Sequence, residues 1–199
     1  MQSLTRTLSA SLLAVTALIA AAGAQAQSSS SNYSLYTPGA SYVGLNAGRS
    51  SFSLGSGIGG FTFDKKDTVY NIYAGNYFQP NFGLEVGYTS FGKISRAGGT
   101  TKAEGVNLSL VGKFPVGSSF NLLGRLGTTY GRTDVTSAPS SGVVSGNESG
   151  FGVSYGLGAE YTFNPNWSAV LQYDSHDLKF PGSGRDRVSA ATAGLRYRF

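Results

Sequence analysis

From Phe151 onward, every second residue is bulky: Phe151, Val153, Tyr155, Leu157, Ala159, Tyr161 and Phe163. The residues between them are Gly152, Ser154, Gly156, Gly158, Glu160 and Thr162, all small or polar. This period of two is the signature of a β-strand with two unlike faces. Asn164-Pro165-Asn166 interrupts it with turn chemistry. The alternation then resumes, with Trp167, Ala169, Leu171 and Tyr173 on one face and Ser168, Val170, Gln172 and Asp174 on the other. The stretch predicts a β-hairpin about 10 residues deep, the length at which a tilted strand crosses a bilayer.

A soluble barrel would turn the bulky face inward; a membrane barrel turns it to lipid. Volume separates the two. The lumen of a small barrel is just wide enough for side chains to fill it. Glycine, serine and a few charges suit that space, whereas aromatics from every strand would overfill it. The bulky face is therefore assigned to lipid, and the interior is expected to be small and polar.

Arg6, the apolar run Leu8–Ala22 and Ala24-Gln25-Ala26 read as a secretory signal peptide over residues 1–26, cleaved near Ala26. Residues 27–40 read as a serine-rich, flexible lead-in to a barrel domain over 41–199. The chain has no cysteine, so the fold must hold without disulfides. Its 29 glycines, 12 Phe and 12 Tyr favour many short strands over helices. A formal net charge of +5 is too mild to point to nucleic acid.

The same alternation marks the other strands. The expected set is Ser41–Ser51, Thr68–Phe78, Phe82–Phe91, Lys102–Phe114, Phe120–Arg132, the two arms of the hairpin, and Val188–Phe199. Short turns at Gln79–Asn81, Pro115–Ser119 and Asn164–Asn166 alternate with longer connections at Ser51–Asp67, Gly92–Thr101, Thr133–Ser149 and Ser175–Arg187. In the second strand, Tyr70, Ile72 and Phe78 compete with Val69, Tyr73 and Tyr77 for the outward face. The fold class that follows is all-β: an eight-stranded, antiparallel, up-and-down transmembrane barrel with short periplasmic turns and long extracellular loops.

Parity turns Glu85, Lys113, Arg125 and Glu160 into the lumen, with Arg196 and Arg198 lower down. Charges in so narrow a space must pair or hold water. This predicts a plugged lumen, with a small gated pore as the alternative. The Gly55, Gly57, Gly60 spacing fits a dinucleotide fingerprint only by chance, because no strand–helix unit surrounds it. A single histidine and no cysteine give no metal site and no cofactor site. His176 is expected to sit solvated at a loop edge. Near the presumed outer rim, Lys65, Lys66, Arg132, Arg185 and Arg187 are candidate ligands for lipopolysaccharide phosphates.

Three segments carry a resemblance to the OmpA-type eight-stranded outer-membrane barrel family, which also includes OmpX-like barrels. They are Phe82-Gly83-Leu84-Glu85-Val86-Gly87-Tyr88, the stretch from Lys102 through Pro115 to Gly127, and Leu195-Arg196-Tyr197-Arg198-Phe199. The resemblance implies a Gram-negative outer membrane and a non-enzymatic structural or surface-contact role through the loops. It also implies contact with membrane lipid and with the barrel-assembly machinery, the latter reading Leu195, Tyr197 and Phe199 as a signal. Glu85, Arg125 and Glu160 match positions of a charge cluster proposed in that family to switch a narrow pore. Val111 and Val170 depart from it, and Lys113 is the candidate substitute. Because the sequence ends at Phe199, a periplasmic peptidoglycan-binding domain is not expected. A lipid A deacylase of similar architecture would carry His-x-Ser, but Leu178 stands two residues after His176. The surface ligand of the loops, if any, is not encoded in a recognisable motif.

Overall fold

The computed structural model describes residues 40–54, 66–96, 98–182 and 184–199. The signal peptide, nearly all of the lead-in, the Gly55–Gly60 motif and Lys65 lie outside the described residues. Eight strands run β1 Ser41–Phe52, β2 Lys66–Gln79, β3 Phe82–Arg96, β4 Gly99–Pro115, β5 Phe120–Thr136, β6 Gly146–Thr162, β7 Trp167–Phe180 and β8 Gly184–Arg198. Each pairs antiparallel with the next, and β8 pairs with β1 to close the barrel. Closure leaves no strand edge in the bilayer, where an unpaired backbone group is costly. At the last short turn, Asn164 Oδ1 accepts the amides of Asn166 (3.0 Å) and Trp167 (2.9 Å). This Asx geometry is why asparagine opens the turn.

Leu45, Leu84, Leu108, Leu126, Leu157 and Leu171 all point outward and are exposed, as the volume argument required. Strand β2 resolves its ambiguity the same way: Tyr70, Ile72 and Phe78 face out, while Val69, Tyr73 and Tyr77 are buried inside. The interior is therefore not only small and polar: β2 turns Tyr73 and Tyr77 inward. Tyr42, Tyr73 and Tyr77 pack together in the lower lumen, with Tyr42 and Tyr77 ring centres 5.3 Å apart. Glycines make the room. A Cβ on Gly44 would fall on the Tyr73 ring, and one on Gly75 would fall on Tyr42.

The strands also run further than expected. Instead of long loops at Gly92–Thr101 and Ser175–Arg187, β3 continues to Arg96 and β7 to Phe180, with β4 and β8 starting at Gly99 and Gly184. Strand β5 reaches Thr136, and a single 3₁₀ turn at Pro139–Ser141 leads towards β6. These extensions escaped the period-2 reading because the two faces exchange character. Along β7 the outward residues change from Trp167, Leu171 and Tyr173 to Ser175, Asp177 and Lys179, while the inward ones change from Ser168 and Gln172 to Leu178 and Phe180. The exchange is shared across the sheet. Tyr88, Val106, Tyr130 and Phe151 are successive outward partners in one row, and Ser90, Glu104, Arg132 and Ser149 occupy the next row up. Below that boundary the outside is lipid; above it the outside is water and the apolar side chains turn in.

Candidate functional site: the lumen

The lower lumen is crossed by a continuous chain of ion pairs. Arg125 Nη2 lies 2.7 Å from Glu85 Oε1 and its Nη1 lies 3.5 Å from Asp174 Oδ2. Arg196 bridges two carboxylates, 3.7 Å from Glu85 Oε2 and 3.3 Å from Glu160 Oε1. Arg198 Nη2 reaches the same Glu160 oxygen at 2.6 Å. Neutral donors complete the acceptors: Tyr42 OH donates to Glu85 (3.0 Å), while Ser168 Oγ (2.7 Å) and Asn121 Nδ2 (3.2 Å) donate to Glu160. The Arg196 guanidinium also lies over the Tyr42 ring at 4.1 Å and donates to Tyr77 OH at 3.3 Å. The tyrosines are therefore the polar and π lining of a cation site, which is how the interior accommodates them.

Glu85, Arg125 and Glu160 thus stand in one network, as their parity suggested. Arg196 is the residue that joins Glu160 to Glu85, and Asp174 adds a second acceptor for Arg125. Lys113 points inward but forms no ion pair among the described residues. It sits over the Tyr77 ring at 4.5 Å, so it does not replace a basic member of the cluster. Val111 and Val170 are buried on the lumen side. Asp174 already stands on the inward face of the hairpin with Gln172, and that parity is the signal that places it among the lumen charges.

Above the network is a cavity of about 10 Å³ lined by Asn71, Thr89, Asn107, Arg125, Asp174 and His176 among others. Asn71 Oδ1, Asn107 Oδ1 and Thr192 Oγ1 are buried without a hydrogen-bond partner among the described residues. Such a mixed set of donors and acceptors in a space of this size suits a water molecule. His176 borders this cavity rather than a loop edge. Its Nδ1 is 2.8 Å from Thr129 Oγ1 and its ring packs edge-on against Phe91 at 4.9 Å. The expected loop begins at Ser175, whereas β7 runs on to Phe180, and that is why His176 falls outside the strand expected from the sequence. Ser154 is its cross-strand neighbour, but Ser154 Oγ makes no hydrogen bond among the described residues. No group of three or more His, Asp or Glu side chains among the described residues is placed to hold a metal ion.

At the barrel's outer surface, Arg185 Nη2 donates to the Phe151 carbonyl at 3.2 Å. Arg187 pairs with Asp177 at 3.3 Å and lies 5.6 Å from the Tyr155 ring. Both sit beside the outer aromatic residues, while Lys66 and Arg132 lie on β2 and β5. Asp186, on the extracellular extension of β8, has its carboxyl raised by burial, an effect that Arg96 opposes. At the other end, Tyr197 stacks on Phe199 and meets Trp167 at 5.0 Å, all three exposed to lipid. The Phe199 amide donates to Ser41 O at 3.1 Å and so takes part in closing β8 on β1.

A closed eight-stranded barrel with a lipid-facing apolar belt and a charged, plugged lumen defines a small transmembrane β-barrel. The chain belongs to the outer membrane protein beta-barrel domain family, whose model matches residues 11–199. It is 30% identical to Outer membrane protein A of Yersinia pseudotuberculosis over 127 residues, 59% of this chain and 36% of that protein; the match spans just over a third of the relative. Its fold is similar to that of Neisserial surface protein A, with a TM-score of 0.63 at 19% identity, covering 80% of this chain and 97% of that one. It is also similar to Ail of Yersinia pestis, with a TM-score of 0.55 at 20% identity, covering 82% and 100%. The protein is an outer-membrane barrel of Gram-negative type.

Proposed function

We propose that this barrel is non-enzymatic and non-conducting, and that it serves the envelope through the surface it raises above the membrane. The observation that carries this reading is the network from Arg125 through Glu85, Arg196 and Glu160 to Arg198. Its acceptors are shared among several cations, and the cavity beside it has room for about one water. An ion entering this lumen would have to displace pairs whose separation leaves buried charge uncompensated. Single-channel recording of the purified protein in planar bilayers should give silent membranes. Large, steady, ion-selective currents would defeat the reading.

The raised surface is then where contact is made. Arg185 and Arg187 lie beside the outer girdle, where lipid phosphates lie, and with Lys66 and Arg132 they are the proposed lipopolysaccharide contacts among the described residues. Guanidinium groups match phosphate oxygens in pairs. Deleting the extracellular hairpins one at a time, with surface adhesion and antibiotic sensitivity as readouts, separates a role in contact from one in envelope integrity. Leu195, Tyr197 and Phe199 are read as an assembly signal as well as a lipid-facing stripe.

A further inference from the structure

We propose that this barrel carries a second permeability seal, an apolar layer clamped between two β-leaves above the membrane, which stays closed when the ion network below it is broken. The inference rests on the closed-lumen reading and adds the upper seal to it.

The barrel is continuous only up to a certain height. The β2–β3 ladder ends at Tyr70–Ser90, although both strands go on, and the β6–β7 ladder ends at Ser154–His176. Every other ladder continues. Strands β3, β4, β5 and β6 stay paired up to Arg96–Gly99, Thr100–Thr136 and Val135–Gly146. Strands β7, β8, β1 and β2 stay paired up to Phe180–Gly184, Phe52–Val188 and Ser51–Lys66. The two interruptions are four strands apart in both directions. The ladder bonding is therefore interrupted along two opposite seams, which mark off two four-stranded leaves whose backbones still touch where Gly92 meets Thr68 and Gly152 meets Asp177.

What lies between the leaves is a hydrophobic core of the kind that holds a sandwich together. One leaf contributes Phe91, Ile94, Ala103 and Val135; the other contributes Phe52, Val69, Leu178, Phe180 and Val188, all buried in one cluster. Glycines let the leaves close. A Cβ on Gly131 would fall on the Leu178 side chain, and one on Gly152 would fall on the Asp177 carbonyl. Thr133 Oγ1 donates across the seam to Lys179 O at 2.6 Å.

The two layers differ in what they offer an ion. The network and the cavity above it present carboxylates, guanidinium groups, amides and hydroxyls that can replace hydration ligands one by one. The upper layer offers few: the hydroxyls of Ser50 and Thr133 are tied to the Phe91 and Lys179 carbonyls and that of Thr101 to Arg96, so an ion or a water file crossing between Leu178, Phe180, Ile94 and Val188 finds little to replace its hydration. Hydrophobic constrictions of this type close pores by excluding water. Breaking the network should loosen the lower lumen and leave the seal intact; placing polar atoms in the apolar layer should open it.

The chain has no cysteine, so a single introduced thiol reports access. Thr192→Cys places one below the seal, on the lumen side of β8. Barrels are inserted into phosphatidylcholine vesicles with their extracellular ends outward, and a membrane-impermeant thiol reagent is added outside. Val144→Cys, at an exposed position, is the reference. Thr192→Cys alone and Thr192→Cys with Glu85→Gln should both stay protected. Thr192→Cys with Leu178→Asn, a change close in shape, should react at least ~10-fold faster through a hydrated constriction. Heat-modifiable gel migration verifies folding, and Val188→Thr replaces Leu178→Asn if that variant does not fold. Protection that survives Leu178→Asn in a folded barrel, or exposure caused by Glu85→Gln alone, overturns the position of the seal. Reaction of Thr192→Cys at the Val144→Cys rate would instead bring down the closed-lumen reading itself.

Discussion

Replacing Glu160 by Gln should destabilise this barrel more than replacing Arg196 by Met, although Arg196 is the larger side chain and both are fully buried. The asymmetry comes from counting partners. Glu160 Oε1 is the common acceptor of Arg196 at 3.3 Å and Arg198 at 2.6 Å. Glutamine keeps the shape and one acceptor oxygen, enough for Ser168 at the Oε1 position or Asn121 at the Oε2 position but not both, so the change removes the charge and one neutral acceptor. It leaves two guanidinium groups without their acceptor, and the nearest remaining carboxylate is Glu85, 3.7 Å from Arg196 and already held by Arg125. Removing one partner of a buried pair costs about 3–5 kcal/mol. Arg196→Met leaves no carboxylate alone: Glu160 keeps Arg198, and Glu85 keeps Arg125 and Tyr42. What is lost is the cation over the Tyr42 ring and the bond to Tyr77, set against the desolvation of a guanidinium that no longer has to be buried, a net cost of about 1–2 kcal/mol. Urea unfolding in lipid vesicles, followed by tryptophan fluorescence from Trp167, measures both. The double variant should be more stable than Glu160→Gln alone, because it removes a stranded cation. Equal single losses, or a double variant at the sum of the two, would mean that the network is hydrated and that pairing within it does not hold the barrel.

The other expectations test facing, packing and assembly. Leu157→Arg should cost about 2–4 kcal/mol by placing a cation in mid-bilayer lipid; normal folding in bilayers would invert the assignment of faces. Gly44→Ala should lower stability by about 1–3 kcal/mol through overpacking against Tyr73, while Gly117→Ala, with nothing within 4 Å of the added methyl, should leave the unfolding midpoint unchanged; similar shifts for both would remove the packing argument. Deleting Phe199 should slow insertion in cells more than it lowers the stability of the refolded barrel, and matching losses in pulse-chase and refolding assays would leave only its part in closing β8 on β1.

The transmembrane belt was legible because one rule governs it. Between Tyr155 and Phe163, or between Leu84 and Tyr88, the outside is lipid and the lumen is narrow, so side-chain size alone assigns the face. Strand β2 resisted that rule because Tyr73 and Tyr77 are large and still belong inside. Their place depends on Gly44 and Gly83 on neighbouring strands and on Arg196 at the far end of the chain, contacts that no local window contains. The charge network was half legible for the same reason. Parity gave Glu85, Arg125 and Glu160 their direction. Which carboxylate meets which cation depends on the stagger of strands around the closed barrel, and that stagger brings Arg196 between two glutamates from β3 and β6.

The upper third was misread as loop because the rule reverses there. At Ser175–Phe180 the alternation persists, but polar residues now stand where lipid-facing ones stood. A reading that fixes the bulky face as outward sees the pattern end, when only the solvent has changed. His176 lies at the crossover: its neighbours are Asp174 below, in the ion network, and Leu178 above, in the apolar layer. The point at which a strand exchanges its faces is therefore itself a sequence signal. In this chain it locates the water boundary on β7 between Tyr173 and Ser175, and on β5 between Tyr130 and Arg132. The hairpin arms beyond it must then be folded structure with a core of their own, because Leu178, Phe180 and Val188 could not remain apolar and alternate in a solvated loop without burying themselves against something.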